Sequence, residues 1–142
     1  MKHTELLTVW AVTIAALCFA CSATAGTDKE AAAVAAAGAW LTLIDHGKYG
    51  DSWEAAAAYF KGAVTKHYWQ QTLTAVREPL GALISREVRS KTYTRSLPGA
   101  PDGEYVVIQF STSFENKKSA IETVTPMKDS DGAWRVSGYF IK

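Results

Sequence analysis

Glu104-Tyr105-Val106-Val107-Ile108-Gln109-Phe110-Ser111-Thr112-Ser113-Phe114 is the stretch on which the fold turns. Val106, Ile108, Phe110 and Phe114 fall on one side of an extended chain, and Gln109, Ser111 and Ser113 on the other. A period of two marks a strand with one buried and one wet face. Ile84–Ser96 before it, rich in Val, Thr, Tyr and Arg, is a second strand candidate; Ala120–Met127 and Trp134–Ile141 after it are two more. Asp102-Gly103, Asn116-Lys117 and Asp131-Gly132 lie between them as turn signals, so the four strands are expected to run as hairpins in one antiparallel sheet.

Upstream of Pro79 the period becomes helical. Thr27 or Asp28 can cap a first helix ending at Asp45, with Glu30 in its first turn and Gly47 suited to its C-cap. Ala31–Ala39 is nearly all alanine, the strongest helix former, and Val34, Ala37, Trp40, Leu41 and Ile44 supply a stripe to bury. Asp51 with Glu54 three residues on has capping-box spacing and announces a second helix, with Trp53, Ala56, Ala57 and Phe60 on one face and Gly62 at its end. Thr65 can cap a third, carrying Trp69, Leu73 and Val76 and stopped by Pro79 and Gly81. The expected class is α+β: three N-terminal helices packed on one face of a four-stranded antiparallel sheet. At helical spacing the tryptophans read as core.

The N-terminus predicts export. Lys2 and His3 precede the apolar run Leu6–Ala20, which is short for a membrane span, and Ala23 and Ala25 form a small-x-small cleavage pattern. Residues 1–25 are thus expected to be a signal peptide and residues 26–142 a single domain, placing the protein in the periplasm or outside the cell. Lipidation at Cys21 is the alternative, and it alone would tether the chain to a membrane. Against it, Leu17 lies one position too far from Cys21 and Phe19 is bulky. Cleavage after Ala25 would remove both cysteines, Cys18 and Cys21, and with them any disulfide or thiolate chemistry.

Fifteen Lys and Arg against fourteen Asp and Glu leave a net charge of +1. Such a balance gives no long-range field for a polyanion, so no nucleic-acid partner is expected. The strip Arg86, Arg89, Lys91 and Arg95, with Tyr93 among them, is interrupted by Glu87; charges on an edge strand also discourage edge-to-edge association.

Several stretches carry a family resemblance: Trp40-Leu41-Thr42-Leu43-Ile44-Asp45 with Gly47 and Tyr49; Ser52-Trp53 with Ala56-Ala57; Arg77 with Pro79-Leu80-Gly81; Leu97 through Tyr105; Phe114-Glu115-Asn116-Lys117; Glu122 through Thr125; and Trp134 through Tyr139. Together they resemble the "domain of unknown function 4019" family of exported bacterial proteins, which brings no established activity. The layout is also similar to the nuclear-transport-factor-2-like fold, and that likeness implies a curved sheet under the helices.

No G-x-G-x-x-G, G-x-x-x-x-G-K or G-x-S-x-G occurs, so nucleotide loops and a serine-hydrolase elbow have no sequence support. His46 and His67 are 21 residues apart and fall on different expected elements, and neither a metal nor another cofactor is expected. The candidate for ligand binding or acid–base work is Glu122, set in a strand otherwise made of Ile, Thr and Val. Arg86 and Arg135 are strand residues able to pair with it. Alternation leaves its face open, since Ala120 and Val124 share its side. The loop Pro98, Gly99, Pro101, Asp102 and Gly103 is stiff for its length and is the candidate partner-binding rim.

The expected role is an exported, non-enzymatic binding domain for a protein or small ligand of the cell envelope. A small enzyme with an acid–base pocket between helices and sheet is the alternative. Exported material should begin at or near Gly26 and contain no cysteine, which intact mass and N-terminal sequencing will read; a chain starting at acylated Cys21 would contradict it.

Overall fold

The computed structural model describes residues 22–142, with side chains from residue 26 onward. Most of the expected signal segment, including Cys21, lies outside the described residues. Helix α1 spans Ser22–Asp45, α2 Tyr49–Glu54, α3 Ala58–Ala63 and α4 Lys66–Arg77, and a 3-10 turn covers Glu78–Leu80. Strands β1 (Leu83–Thr94), β2 (Tyr105–Phe114), β3 (Lys117–Lys128) and β4 (Trp134–Ile141) follow in an antiparallel meander of the same spatial order. The described chain is therefore α+β, with helices first and one four-stranded sheet after them.

Four helices stand where three were expected. The segment from Asp51 to Gly62 breaks because Ala57 is extended, at φ −61° and ψ 149°, and its N–H donates to the Val136 carbonyl of β4 at 2.8 Å. Tying that backbone to the sheet removes it from a helical ladder. Asp51 does not cap α2, which starts two residues earlier behind Lys48. Thr27 and Asp28 likewise lie inside α1 rather than at its start, the alanine-rich sequence carrying the helix further upstream. Thr65 does cap α4, accepting from the Tyr68 N–H.

Gly47 ends α1 as its position suggests. At φ +71°, it lets its own N–H reach Ile44 O and the Lys48 N–H reach Leu43 O, the paired bonds of a Schellman cap. At Gly81 (φ +74°) a side chain would be strained, and a Cβ would come within 2.9 Å of Glu115 Cβ. This close turn seats the 3-10 segment on the β2–β3 hairpin, where Asn116 N–H donates to Leu80 O and Glu115 N–H to Ala82 O. Phe114 pairs with Lys117, so the hairpin turns on Glu115-Asn116, one residue before the expected Asn116-Lys117.

Alternation in β2 is as the sequence implies: Val106, Ile108, Phe110 and Phe114 are buried. They meet Ala33, Ala37, Trp40, Leu41 and Ile44 from α1, which lies across all four strands. Phe60 of α3 stands edge-on to Trp69 of α4 at 4.9 Å, and Trp40 contacts Trp69 and Tyr139 at 6.1 and 5.4 Å. Buried Ser52 takes up both indoles: Trp40 Nε1 donates to its carbonyl and Trp69 Nε1 to its Oγ. Trp40 and Trp69 are thus hydrogen-bonded core, and register shifts in all three strand pairs bend the ladder around them. Phe60→Ala should cost about 3–5 kcal/mol, measured by denaturant titration; a loss under about 1 kcal/mol would contradict this packing.

Candidate functional site

Register decides the face of Glu122. Phe110 is its partner on β2 and Ile141 on β4, so it shares the helix-covered side with Ala120 and Val124 and is fully buried. Arg86 enters the same layer from β1, opposite Thr112. Asp45 arrives from the last turn of α1 and Arg77 from the last turn of α4. Four ionisable groups from four elements thereby meet at one end of the sheet.

Arg86 is the centre of the group. Its Nε and Nη2 donate to Glu122 Oε1 and Oε2 at 2.7 and 3.2 Å, and its Nη1 and Nη2 donate to Asp45 Oδ2 and Oδ1 at 2.7 and 2.9 Å. Both edges of one guanidinium are filled by carboxylates, the geometry in which arginine binds most strongly. Arg77 Nη2 donates to Asp45 Oδ1 at 2.9 Å. Thr112 Oγ1 donates to Glu122 Oε1 at 2.6 Å, and the Tyr139 hydroxyl donates to Oε2. Two positive and two negative groups cancel within the cluster.

Burial alone would raise the Asp45 carboxyl. Hydrogen bonds and charge from Arg86, then from Arg77, outweigh it and hold the group below its usual value. The Tyr139 phenol is pushed well above its usual range by burial and by the neighbouring Glu122 charge. An acidic residue at a helix C-terminus sits at the negative end of the macrodipole, and here the two arginines offset that cost. Arg77 Nε and Nη1 are buried without a protein acceptor, and the guanidinium lies 4.7 Å from the Phe114 ring centre, where cation–π attraction replaces part of the missing hydration.

Glu122 and Arg86 are therefore brought together, and Arg135 is not. Arg135 pairs with Met127 at the opposite end of β4, six residues or about 20 Å from the rung that holds Glu122. It ties down the β3–β4 turn instead, donating to Asp129 at 3.0 Å and to Asp131 at 2.8 Å. Asp45, Arg77, Thr112 and Tyr139 belong to the cluster but were not sequence candidates for it. A carboxylate in the last turn of α1, against the dipole, was the available signal for Asp45. His46 is exposed and bonds to Thr42 O through its ring, His67 is exposed on α4, and no group of three metal-binding side chains occurs among the described residues.

At the other end of the sheet, the Pro98–Gly103 loop is exposed at Pro98, Gly99, Pro101 and Asp102. Tyr59 OH of α3 donates to Gly99 O, Tyr105 OH to Pro101 O, and Gly103 N–H to Arg95 O. Glu104 just beyond is bonded by Lys29 Nζ at 2.7 Å and Tyr93 OH at 2.9 Å, and these contacts hold its carboxyl down at about 2. No helix among the described residues is long and apolar enough to cross a membrane.

The lowered carboxyls set a pH dependence. A carboxylate held below its unfolded value, about 4 for both types, stabilises fully above that value and loses its contribution as pH falls through the folded value. Stability should therefore drop between about pH 4.5 and pH 2. Asp45→Asn should lower the melting temperature at neutral pH, with the gap to the natural chain narrowing through this range. A constant gap from neutrality to about pH 2.5 would contradict the assignment to Asp45.

A family model described as "Protein of unknown function (DUF4019)" matches residues 36–139. No curated protein matches the chain, and no solved structure does, so the expected nuclear-transport-factor-2-like likeness finds no counterpart there. The match runs from the C-terminal part of α1 through Tyr139 and so includes every member of the buried charge cluster. This chain belongs to the family of proteins of unknown function 4019.

Proposed function

We propose that this chain is a non-enzymatic binding domain of the bacterial cell envelope, exported behind a cleaved leader. The observation that carries the reading is the saturation of Glu122. Its two oxygens receive four hydrogen bonds, two from Arg86 and one each from Thr112 and Tyr139. A general base needs a free lone pair within reach of a substrate proton. Here all three donors are strand residues locked by packing, from β1, β2 and β4, so the group serves as a clasp for the fold. The partner-facing element is the Pro98–Gly103 loop, whose exposed residues are held by two tyrosine hydroxyls and therefore lose little entropy on binding. No cofactor takes part in this reading.

Glu122→Gln preserves shape but leaves Arg86 with half its neutralising charge. Breaking a buried pair commonly costs about 3–5 kcal/mol, and a loss of that order is expected with or without a partner present. Pro98→Ser with Pro101→Ser should leave the melting temperature nearly unchanged while releasing whatever protein the tagged natural chain retains from its own envelope. A Glu122→Gln chain of unchanged stability that had lost turnover of a compound would overturn the reading in favour of an acid–base enzyme.

A further inference from the structure

Opposite the helices, the sheet carries a polar cleft of about 340 Å³ spread over β1, β2 and β3. That volume lies within the range of small-ligand sites. Register places it on the outer face: Ser85 is paired with Ser113 and Glu87 with Ser111, each out of phase with buried Thr112 and Phe114. Four serine hydroxyls line it, from Ser85, Ser111, Ser113 and Ser119, together with the cations of Arg89 and Lys118 and the carboxylate of Glu87.

Among the described residues, none of these seven side chains has a hydrogen-bond or ion-pair partner. Glu87 and Arg89 are two residues apart on one strand and share the cleft, yet they do not close on each other. Elsewhere on the described surface such neighbours do pair, as Arg135 with Asp131 and Lys66 with Glu54. The cleft thus holds separated charges of both signs beside free hydroxyls, with one positive charge in excess. Its floor is firm, because Thr112 reaches through β2 to bond Glu122 in the buried cluster. A polar constellation on packed strands is held more sharply than one on a loop.

We propose that this cleft binds a small polyhydroxylated ligand bearing one anionic group, that is, a sugar acid or sugar phosphate. Arg89 and Lys118 take the anion, and a singly charged sugar acid leaves the site neutral. Glu87 accepts from ligand hydroxyls, and the serines donate or accept as the ligand requires. The excess charge selects against neutral sugars, and Glu87 repels a bare anion that brings no sugar hydroxyls to its carboxylate. The proposal deepens the reading of the chain as a binding domain, on a surface at the opposite end of β2 from the Pro98–Gly103 loop.

The test is an amide NMR titration of the folded domain with glucuronate, glucose 6-phosphate, glucose and inorganic phosphate in turn. Saturating shifts at Ser85, Ser111, Ser113 and Ser119 are expected at about millimolar glucuronate or glucose 6-phosphate, and whichever arm saturates identifies the anion. Glucose and inorganic phosphate should each bind at least about tenfold more weakly. Arg89→Gln combined with Lys118→Gln should weaken the anionic sugar by about tenfold or more at an unchanged melting temperature. Failure of both sugars to saturate, equal binding of either control, or unchanged affinity in the double variant would overturn the cleft assignment. Capture of a partner through the Pro98–Gly103 loop is read separately, so the binding-domain reading stands or falls on its own experiment.

Discussion

The double fork of Arg86 is the contact that the rest of the architecture is arranged around. One guanidinium joins the last turn of α1 through Asp45 to the interior of β3 through Glu122, while its own backbone belongs to edge strand β1. Arg77 adds the end of α4 through the same Asp45. Along α1, Ala33 and Ala37 offer little area, and Trp40, Leu41 and Ile44 in the turns just before Asp45 carry most of the burial. The charges fix where the helix stops relative to the strands, and the apolar stripe fixes which side it shows them.

Burying four ionised groups is expensive unless every charge is met, because desolvation can exceed the Coulombic return. Several features reduce that cost here. The cluster is neutral as a unit, the carboxylate oxygens of Glu122 are each bonded twice, and the outermost members Arg86 and Asp45 keep slightly more than a tenth of their side-chain surface in contact with solvent. Arg77 is the imperfect member, with two donors lacking acceptors and an aromatic ring in place of water. A network of this kind adds less to net stability than apolar residues of equal volume would, but it defines one register. Slipping β3 by a single residue would carry Glu122 to the outer face and take from Arg86 one of its two carboxylates.

The same register produces the outer surface. Because Thr112 and Glu122 must face inward, Ser111, Ser113 and Ser119 must face outward, beside Ser85, Glu87 and Arg89 of β1. The inner clasp and the outer polar cleft are two consequences of one strand alignment. The opposite end of the sheet is finished differently, by hydroxyls and ion pairs that tie turns down: Tyr59 and Tyr105 on the proline loop, Lys29 and Tyr93 on Glu104, Arg135 on its two aspartates.

Local chemistry in the sequence was enough to determine the order of helices and strands, the α1 cap at Gly47, the Thr65 cap of α4 and the buried face of β2, since each depends on neighbours within about one helical turn or one strand period. The break at Ala57 was not legible, because it depends on a hydrogen bond to Val136, far away along the chain. Nor was the membership of the charge cluster. Glu122 and Arg86 could be picked out as charged residues in apolar strands. Which arginine met the carboxylate depended on register, and register is a property of paired strands rather than of either strand alone. Arg135 and Arg86 are alike in composition and local setting. Only the bulged pairing of β3 with β4 puts one at a surface turn, and only the approach of α1 and α4 closes the other between two carboxylates.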